Sequence, residues 1–431
     1  MEEEVVSEQE RVRNVEPRVL DLFWKLAEFP DSVRVSAAVS LVNIVIQKQR
    51  LSKDGSLSRE ADYCLKRLIR GLASSRASAR LGFFACLEGF LSRVHDVDAP
   101  FTLDTISEEF RLPKNASKSE KTEAQIGKVL AITALIRSGS LFREARPGCS
   151  KTLKECVEVI ISNLLMLGLK KHFLDILTSS AMAQLVEKAP EEELGQIVIP
   201  ALKACVEANK SGSSPLLLWP VLLASERLPG GVSVELLSSC GLEGRSAFSE
   251  ENCGVVGQAI MATSDSLPAA VHPFCSVAIR MFCERGLIVP LWTSGILSAI
   301  NEDSRANKGS ALPRHKAQLL LHLFAMAVEH VKKATEFTAL LLPPLLPLLL
   351  STAHHARSSS PGKPLPQGAE RAALNALCRR FSAPDNPTTE KARRKVLKML
   401  LTPPDGRVDL DALLASNMKP LFLEGDWEHI P

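Results

Sequence analysis

CLKRLIRGLASSRASARLGFFACLEGFL, Cys64 to Leu91, holds two apolar stripes separated by a Ser-Ser pair. Leu65, Leu68, Ile69 and Leu72 recur at i, i+3, i+4 and i+7, and Phe83, Phe84, Leu87, Phe90 and Leu91 take up the pattern after Ser74-Ser75. That period lines one face of a helix, so the stretch reads as two amphipathic helices whose apolar faces meet. Leu68, Ile69, Leu72, Phe83, Phe84 and Leu87 are the expected core of the pair.

Five cations stand among these residues: Lys66, Arg67 and Arg70 on the first helix, Arg76 at the turn and Arg80 at the start of the second. In a hairpin they crowd one end and one flank. Such a patch suits nucleic-acid phosphates or an acidic partner. The alternative is a solvated face with local ion pairs to Glu60, Asp62 or Glu88. The phenylalanines belong to the apolar stripe and do not interleave with the cations, so stacking of single-stranded bases is not expected here.

Helical periodicity continues outward on both sides. Val19, Leu20, Leu22, Phe23 and Leu26 mark a helix ending near Pro30, and Asp31 is placed to cap the next, striped by Val33, Ala37, Ala38, Leu41, Ile44 and Val45. Downstream, helices are expected at about 123–138, 150–167, 172–188, 191–208, 214–226, 251–262, 268–285, 290–301, 313–333, 337–351, 368–381 and 388–401. A short one is expected near 105–110, and Pro229-Gly230-Gly231 reads as a turn. Arg34, Arg80 and Arg393 are each followed by apolar residues at +3, +4 and +7. Helical hairpins of the HEAT and armadillo type lead their second helix in this way. The expected fold is all-α, a HEAT/armadillo-like α-solenoid of stacked antiparallel hairpins. Its expected divisions are a repeat region over 1–210, a continuation over 211–353, a Ser/Pro-rich loop over 354–367 and a short helical segment with a tail over 368–431.

Bulk composition narrows the function classes. The net charge of +3 over 431 residues does not mark a nucleic-acid binder as a whole, so any anion-binding surface is local. Ten cysteines occur without a C-x-x-C pair or a Cys/His zinc spacing, which points to reduced, buried thiols. The acidic, polar N-terminus does not read as a secretory signal. The most apolar run, Thr338 to Ala353, is interrupted by prolines and too short to cross a bilayer; it reads as a buried, broken helix. No phosphate-binding glycine loop, nucleophile elbow or zinc-protease motif is present in the sequence, so no cofactor or small-molecule substrate is expected. Two D-x-D triplets, Asp96-Val97-Asp98 and Asp409-Leu410-Asp411, are expected to cap helices and not to hold catalytic Mg²⁺. His322, among Leu320, Leu321 and Phe324, is expected at the core or its rim.

The stretch from Tyr63 to Leu91 resembles the N-terminal signature of the Myb-binding protein 1A / DNA polymerase V family. Lys66-Arg67-Leu68, Gly71-Leu72, Ser74, Arg76, Ala79-Arg80 and Gly82-Phe83 carry the likeness. Leu20 to Ala38 and Ile126 to Phe142 are similar to other parts of the same family. The resemblance implies a helical-repeat protein of the nucleus and nucleolus. It implies a role in ribosomal RNA gene transcription and ribosome biogenesis, with transcription factors, ribosome-assembly proteins and DNA as partners. It implies no polymerase active site despite the name. A HEAT-like adaptor for acidic protein segments, with no nucleic-acid role, is the alternative. Members are usually much longer, with an acidic low-complexity region and a basic C-terminal tail; neither occurs in this sequence.

Overall fold

The computed structural model describes residues 16–51, 57–144, 150–209, 214–228, 230–266, 271–306, 312–332, 341, 345, 367–381 and 387–401. All regular structure among them is helical. The chain divides into two compact units, Met1–Asn209 with Glu226–Pro229, and Lys210–Ser225 with Gly230–Pro431.

The first unit begins with α1 (Pro17–Lys25), α2 (Asp31–Leu51), α3 (Arg59–Gly71) and α4 (Ala77–Arg93). It continues with α5 (Ala99–Glu109), α6 (Lys118–Arg137), α7 (Leu153–Lys170), α8 (Asp175–Lys188) and α9 (Ile199–Asn209). Each odd helix pairs with the even helix that follows it. The even helices α2, α4, α6 and α8 also pack one on the next, as do α3, α5, α7 and α9. The result is two layers of helices.

Helix starts follow local chemistry. Ser58, Asp98, Ser117 and Thr152 each accept a backbone N–H at the head of α3, α5, α6 and α7. Ser117 with Glu120, and Thr152 with Glu155, form reciprocal capping boxes. These caps move two expected boundaries. The helix expected near 105–110 begins at Ala99, because Asp98 caps it and Pro100 suits its first turn. The helix expected from about 123 begins at Lys118, behind the Ser117 box. Asp31, expected as a cap, is the first residue of α2, and its carboxylate pairs with Arg34.

The expected core of the quoted stretch is buried at Leu68, Ile69, Leu72, Phe83 and Leu87. Phe84 departs from that expectation. It is half-buried, and the Arg137 guanidinium lies 5.5 Å from its ring centroid. Phe83 stacks on Phe23 of α1 with centroids 6.2 Å apart, tying the first two hairpins together.

The second unit contains α10 (Pro215–Arg227, all but its last two residues), α11 (Val234–Ser239), α12 (Cys253–Ser266), α13 (Pro273–Glu284), α14 (Ser298–Ala306), α15 (Arg314–His330), α16 (Gln367–Phe381) and α17 (Pro387–Leu401). α11 was not legible in the periodicity. A π-helical segment, Leu291–Leu297, leads into α14, and a shorter one, Leu194–Val198, leads into α9 in the first unit. A Cβ added to Gly257 of α12 would collide with the Gly295 backbone, so these two segments meet main chain to main chain. Trp292 and Phe324 pack edge to face at 6.3 Å in the core beside them. Leu341 and Leu345 are buried. The rest of the apolar run at 338–353, residues 354–366 of the loop expected over 354–367, and Asp409 and Asp411 lie outside the described residues, while Gln367, expected as the end of that loop, is the first residue of α16.

Candidate nucleic-acid or acidic-partner interface

α3 and α4 carry the five cations of the sequence motif, and their backbone settles where each one goes. Lys66 is half-buried; its Nζ donates to Asp62 Oδ2 at 2.9 Å, one turn back on α3. Arg70, in the last turn of α3, forms an ion pair with Glu109, in the last turn of α5. The Glu109 side chain is 8 % exposed, so this is a packing contact between neighbouring helices more than a free charge. Arg80 donates through Nη1 to the Ser74 carbonyl at 2.6 Å and the Ser75 carbonyl at 3.2 Å, closing the end of the hairpin turn.

Arg67 and Arg76 differ from these three. Both are exposed, and neither guanidinium has a hydrogen-bond or ion-pair partner among the described residues. Arg76 is also the N-cap residue of α4, and no side chain caps that helix start. Its own backbone N–H donates to the Ser74 hydroxyl at 3.3 Å. The structure therefore brings together a turn with two open cations, not five. Glu88, one of the acids expected to pair locally, instead accepts from Arg137 of α6 at 3.2 Å. Glu60 lies 4.0 Å from Lys48 of α2.

The remaining residues of the motif are accounted for by packing. A Cβ on Gly71 would collide with the Phe83 ring, and one on Gly82 would collide with the Leu26 carbonyl. Gly127, in the third family-like stretch, is similar: its Cβ would lie 2.8 Å from the Phe110 ring and 3.1 Å from the Ala73 nitrogen. Side-chain contacts of this kind are invisible to helical periodicity, though glycines inside apolar stripes are a readable sign of close helix approach.

Other groups with chemical potential are quiet. Asp98 caps α5, accepting from the Phe101 N–H at 2.8 Å, as expected for the first D-x-D triplet. Burial pushes the Cys64, Cys240, Cys275 and Cys283 thiols up to about 12, far from reactive thiolates. His322 is half-buried, and burial lowers its pKa. Among the described residues no group of three or more His, Cys, Asp or Glu side chains could hold a metal ion, and no helix is long and apolar enough to cross a membrane.

The sequence profile of DNA polymerase phi matches residues 63–309, from the start of the cationic hairpin through more than half of the 431-residue chain. The chain belongs to the DNA polymerase phi family. Similar curated proteins include a Myb-binding protein 1A-like protein of Danio rerio, 26 % identical over 49 % of this chain and 15 % of its own length. The rDNA transcriptional regulator pol5 of Schizosaccharomyces pombe is 27 % identical over 40 % of this chain and 16 % of its own. Myb-binding protein 1A of Mus musculus is 24 % identical over 64 % and 20 %. The chain thus aligns with a fifth or less of the length of these relatives. No solved structure matches it. Within the family region, Arg67 and Arg76 are the motif cations that the fold leaves open.

Proposed function

We propose that this member of the DNA polymerase phi family is a non-enzymatic helical-repeat scaffold of the nucleus and nucleolus that regulates ribosomal RNA gene transcription and supports ribosome biogenesis. The observation that carries this reading is the family match over 63–309, joined to relatives named as an rDNA transcriptional regulator and as Myb-binding proteins rather than as polymerases. The layered hairpins of the first unit support a HEAT/armadillo-like arrangement, a fold that presents extended surfaces to protein partners. Transcription factors or ribosome-assembly proteins are the partners of that scaffold, and DNA is contacted through the α3–α4 turn. Recovery from nuclear extract, with and without nuclease, tests the reading. Nuclease-resistant capture of ribosomal RNA gene transcription or assembly factors is expected. Capture of neither, or templated primer extension by the purified chain, overturns it.

A second reading, an adaptor for acidic protein segments, is favoured by one observation: only Arg67 and Arg76 of the five motif cations stand open. Five phosphate contacts on duplex DNA would give a slope of log K on log[salt] of about −4.5, and two give about −1.8. A slope near −1.8 that vanishes in Arg67→Ala/Arg76→Ala fits DNA contact at the turn. No duplex binding, with retained capture of acidic proteins, fits the adaptor.

A further inference from the structure

The first unit carries a second charged feature, larger than the motif turn. The contacts between helices place all its intra-hairpin turns on one edge. Gly82 of α4 packs on the Leu26 carbonyl, and the Ser78 hydroxyl donates to the Ala27 carbonyl at 3.5 Å, which sets the α1–α2 turn beside the head of α4. The Arg70–Glu109 pair joins the ends of α3 and α5, and Gly127 seats Phe110 against Ala73. Lys151, one residue ahead of the α7 cap Thr152, pairs with Asp104 of α5, and α7 packs along α5, so α7 begins beside α5 and continues the odd layer in the direction of α5. α7 has 18 residues against 11 in α5, so its C-terminal end projects past that of α5 on the same edge. The opposite edge holds the α4–α5 link and the α6–α7 link, fixed by Arg143 Nη2 on the Leu91 carbonyl at 3.1 Å.

Cations collect on the turn edge. Arg76 stands at the α3–α4 turn, Arg111 and Lys114 in the α5–α6 connection, Lys118 at the head of α6, and Lys170 and Lys171 at the end of α7. All six are exposed, and their side chains have no hydrogen-bond or ion-pair partner among the described residues. Several acids there are already engaged: Asp31 by Arg34, Glu109 by Arg70 and Glu120 by the Ser117 N–H. Glu28 and Glu108 stay open. On the opposite edge cations are interleaved with Asp96, Asp98, Glu144 and the run Glu191–Glu193.

Aromatic side chains flank the same cations. Trp24 is 72 % exposed at the end of α1, Phe29 is 87 % exposed in the α1–α2 turn, and Phe173 is 48 % exposed in the α7–α8 turn. Large aromatic rings left in water at hairpin tips serve no packing purpose, and in company with open cations they are the chemistry of a base-stacking surface. A DNA duplex, whose bases are already stacked, would use the cations and leave these rings idle.

We propose that the turn edge of the first unit is a binding track for single-stranded nucleic acid, with the six cations on successive phosphates and Phe29, Trp24 and Phe173 stacking on bases at its two ends. The proposal rests on the placement of the turns and holds whether or not the chain regulates ribosomal RNA genes.

Fluorescence anisotropy of the full chain with a labelled 20-nucleotide oligouridine, an oligothymidine of the same length and a 20-base-pair duplex tests it. Binding to the single strands tighter than to the duplex is expected, with a slope of log K on log[salt] of about −4.2 from six contacts. Arg111→Ala/Lys114→Ala/Lys118→Ala should make that slope shallower by about 2.1, and Lys170→Ala/Lys171→Ala by about 1.4. Phe173→Ala or Phe29→Ala should weaken binding by about 5- to 150-fold with the slope unchanged. Tighter binding of oligouridine identifies RNA as the preferred strand, and tighter binding of oligothymidine identifies DNA. Equal or tighter duplex binding, no effect of the phenylalanine variants, or an unchanged slope in both lysine/arginine variants overturns the proposal. Each variant is at the surface, and an unaltered melting curve for each confirms that the loss is one of contact.

Discussion

The turns after α1 and after α3 are closed by the same device and turned to different uses. Arg34, fourth residue of α2, donates to the carbonyls of Glu28 and Phe29, six and five residues before it. Arg80, fourth residue of α4, donates to Ser74 and Ser75, again six and five residues before it. The two guanidiniums satisfy carbonyls of the turn residues between the paired helices. Around this common frame the first turn exposes Phe29 and the second exposes Arg76. The recurrent arginine is therefore a part of the hairpin, and the specificity of each turn lies in the residues beside it. Arg80, one of the five cations expected to meet a ligand, is committed to the fold.

The strongest way to break the comparison is to cut what joins the two hairpins. Phe83 sits on Gly71 and stacks on Phe23. Phe83→Ala should cost about 3–5 kcal/mol, from lost transfer free energy and the cavity left behind. Phe84→Ala should cost only about 1 kcal/mol, because its ring is half in water. Denaturant melts of the two variants check this pair, and equal losses would contradict the different placement of neighbouring rings.

The two arginines come next. Arg34 has a side chain only 9 % exposed and an ion pair with Asp31, whereas Arg80 is half-exposed and bonds carbonyls alone. Removing Arg34 takes a largely buried guanidinium from two turn carbonyls and from Asp31 and should cost about 3 kcal/mol; removing Arg80, where water replaces it in part, about 1.5 kcal/mol. Arg34→Lys supplies one nitrogen where Nη1 serves the carbonyls and Nη2 serves Asp31, so it should recover less than half of the loss, whereas Arg80→Lys, where Nη1 alone meets both carbonyls, should recover more than half. Equal costs for Arg34→Ala and Arg80→Ala would show that burial does not separate the two clamps.

What was legible in the sequence follows the range of the interaction. Periodicity finds α3 and α4 and their core because i, i+3 and i+4 contacts are local. The recurrence of Arg34 and Arg80 was visible, and its offset from the turn carbonyls is a local fact too. The partner of Arg70 was not legible, since Glu109 lies 39 residues away and is brought close only by α5 packing on α3. The basic edge escaped for the same reason: Arg76, Lys114 and Lys171 are far apart in sequence and share an edge only once the turns are aligned. The aromatics at that edge, Trp24, Phe29 and Phe173, were hidden among apolar residues read as helix stripes or turn ends.

The smallest expected effect contrasts helix ends closed from a distance with helix starts closed locally. α6 and α7 begin with capping boxes, Ser117 with Glu120 and Thr152 with Glu155, spanning four residues each. In both, hydrogen bonds from the cap residue's backbone N–H, then from its hydroxyl, hold the glutamate below its ordinary pKa of 4.5. A carboxylate whose folded pKa is depressed contributes stability that is fully present above its unfolded value and is lost as pH falls through the folded one. Wild type should therefore lose the contribution of Glu120 below about pH 4.5. Glu120→Gln keeps a neutral side chain that still accepts from the Ser117 N–H, so its contribution should not change with acid. The difference in stability between wild type and Glu120→Gln, measured by urea unfolding from pH 6 to pH 3, should shrink as the pH falls. Arg80→Ala, compared with wild type over the same range, should show a constant difference, because neither the guanidinium nor its carbonyl partners titrate there. A pH-dependent difference for Arg80→Ala would mean that a carboxylate shares that clamp, and a constant one for Glu120→Gln would mean that the box does not hold the charged form.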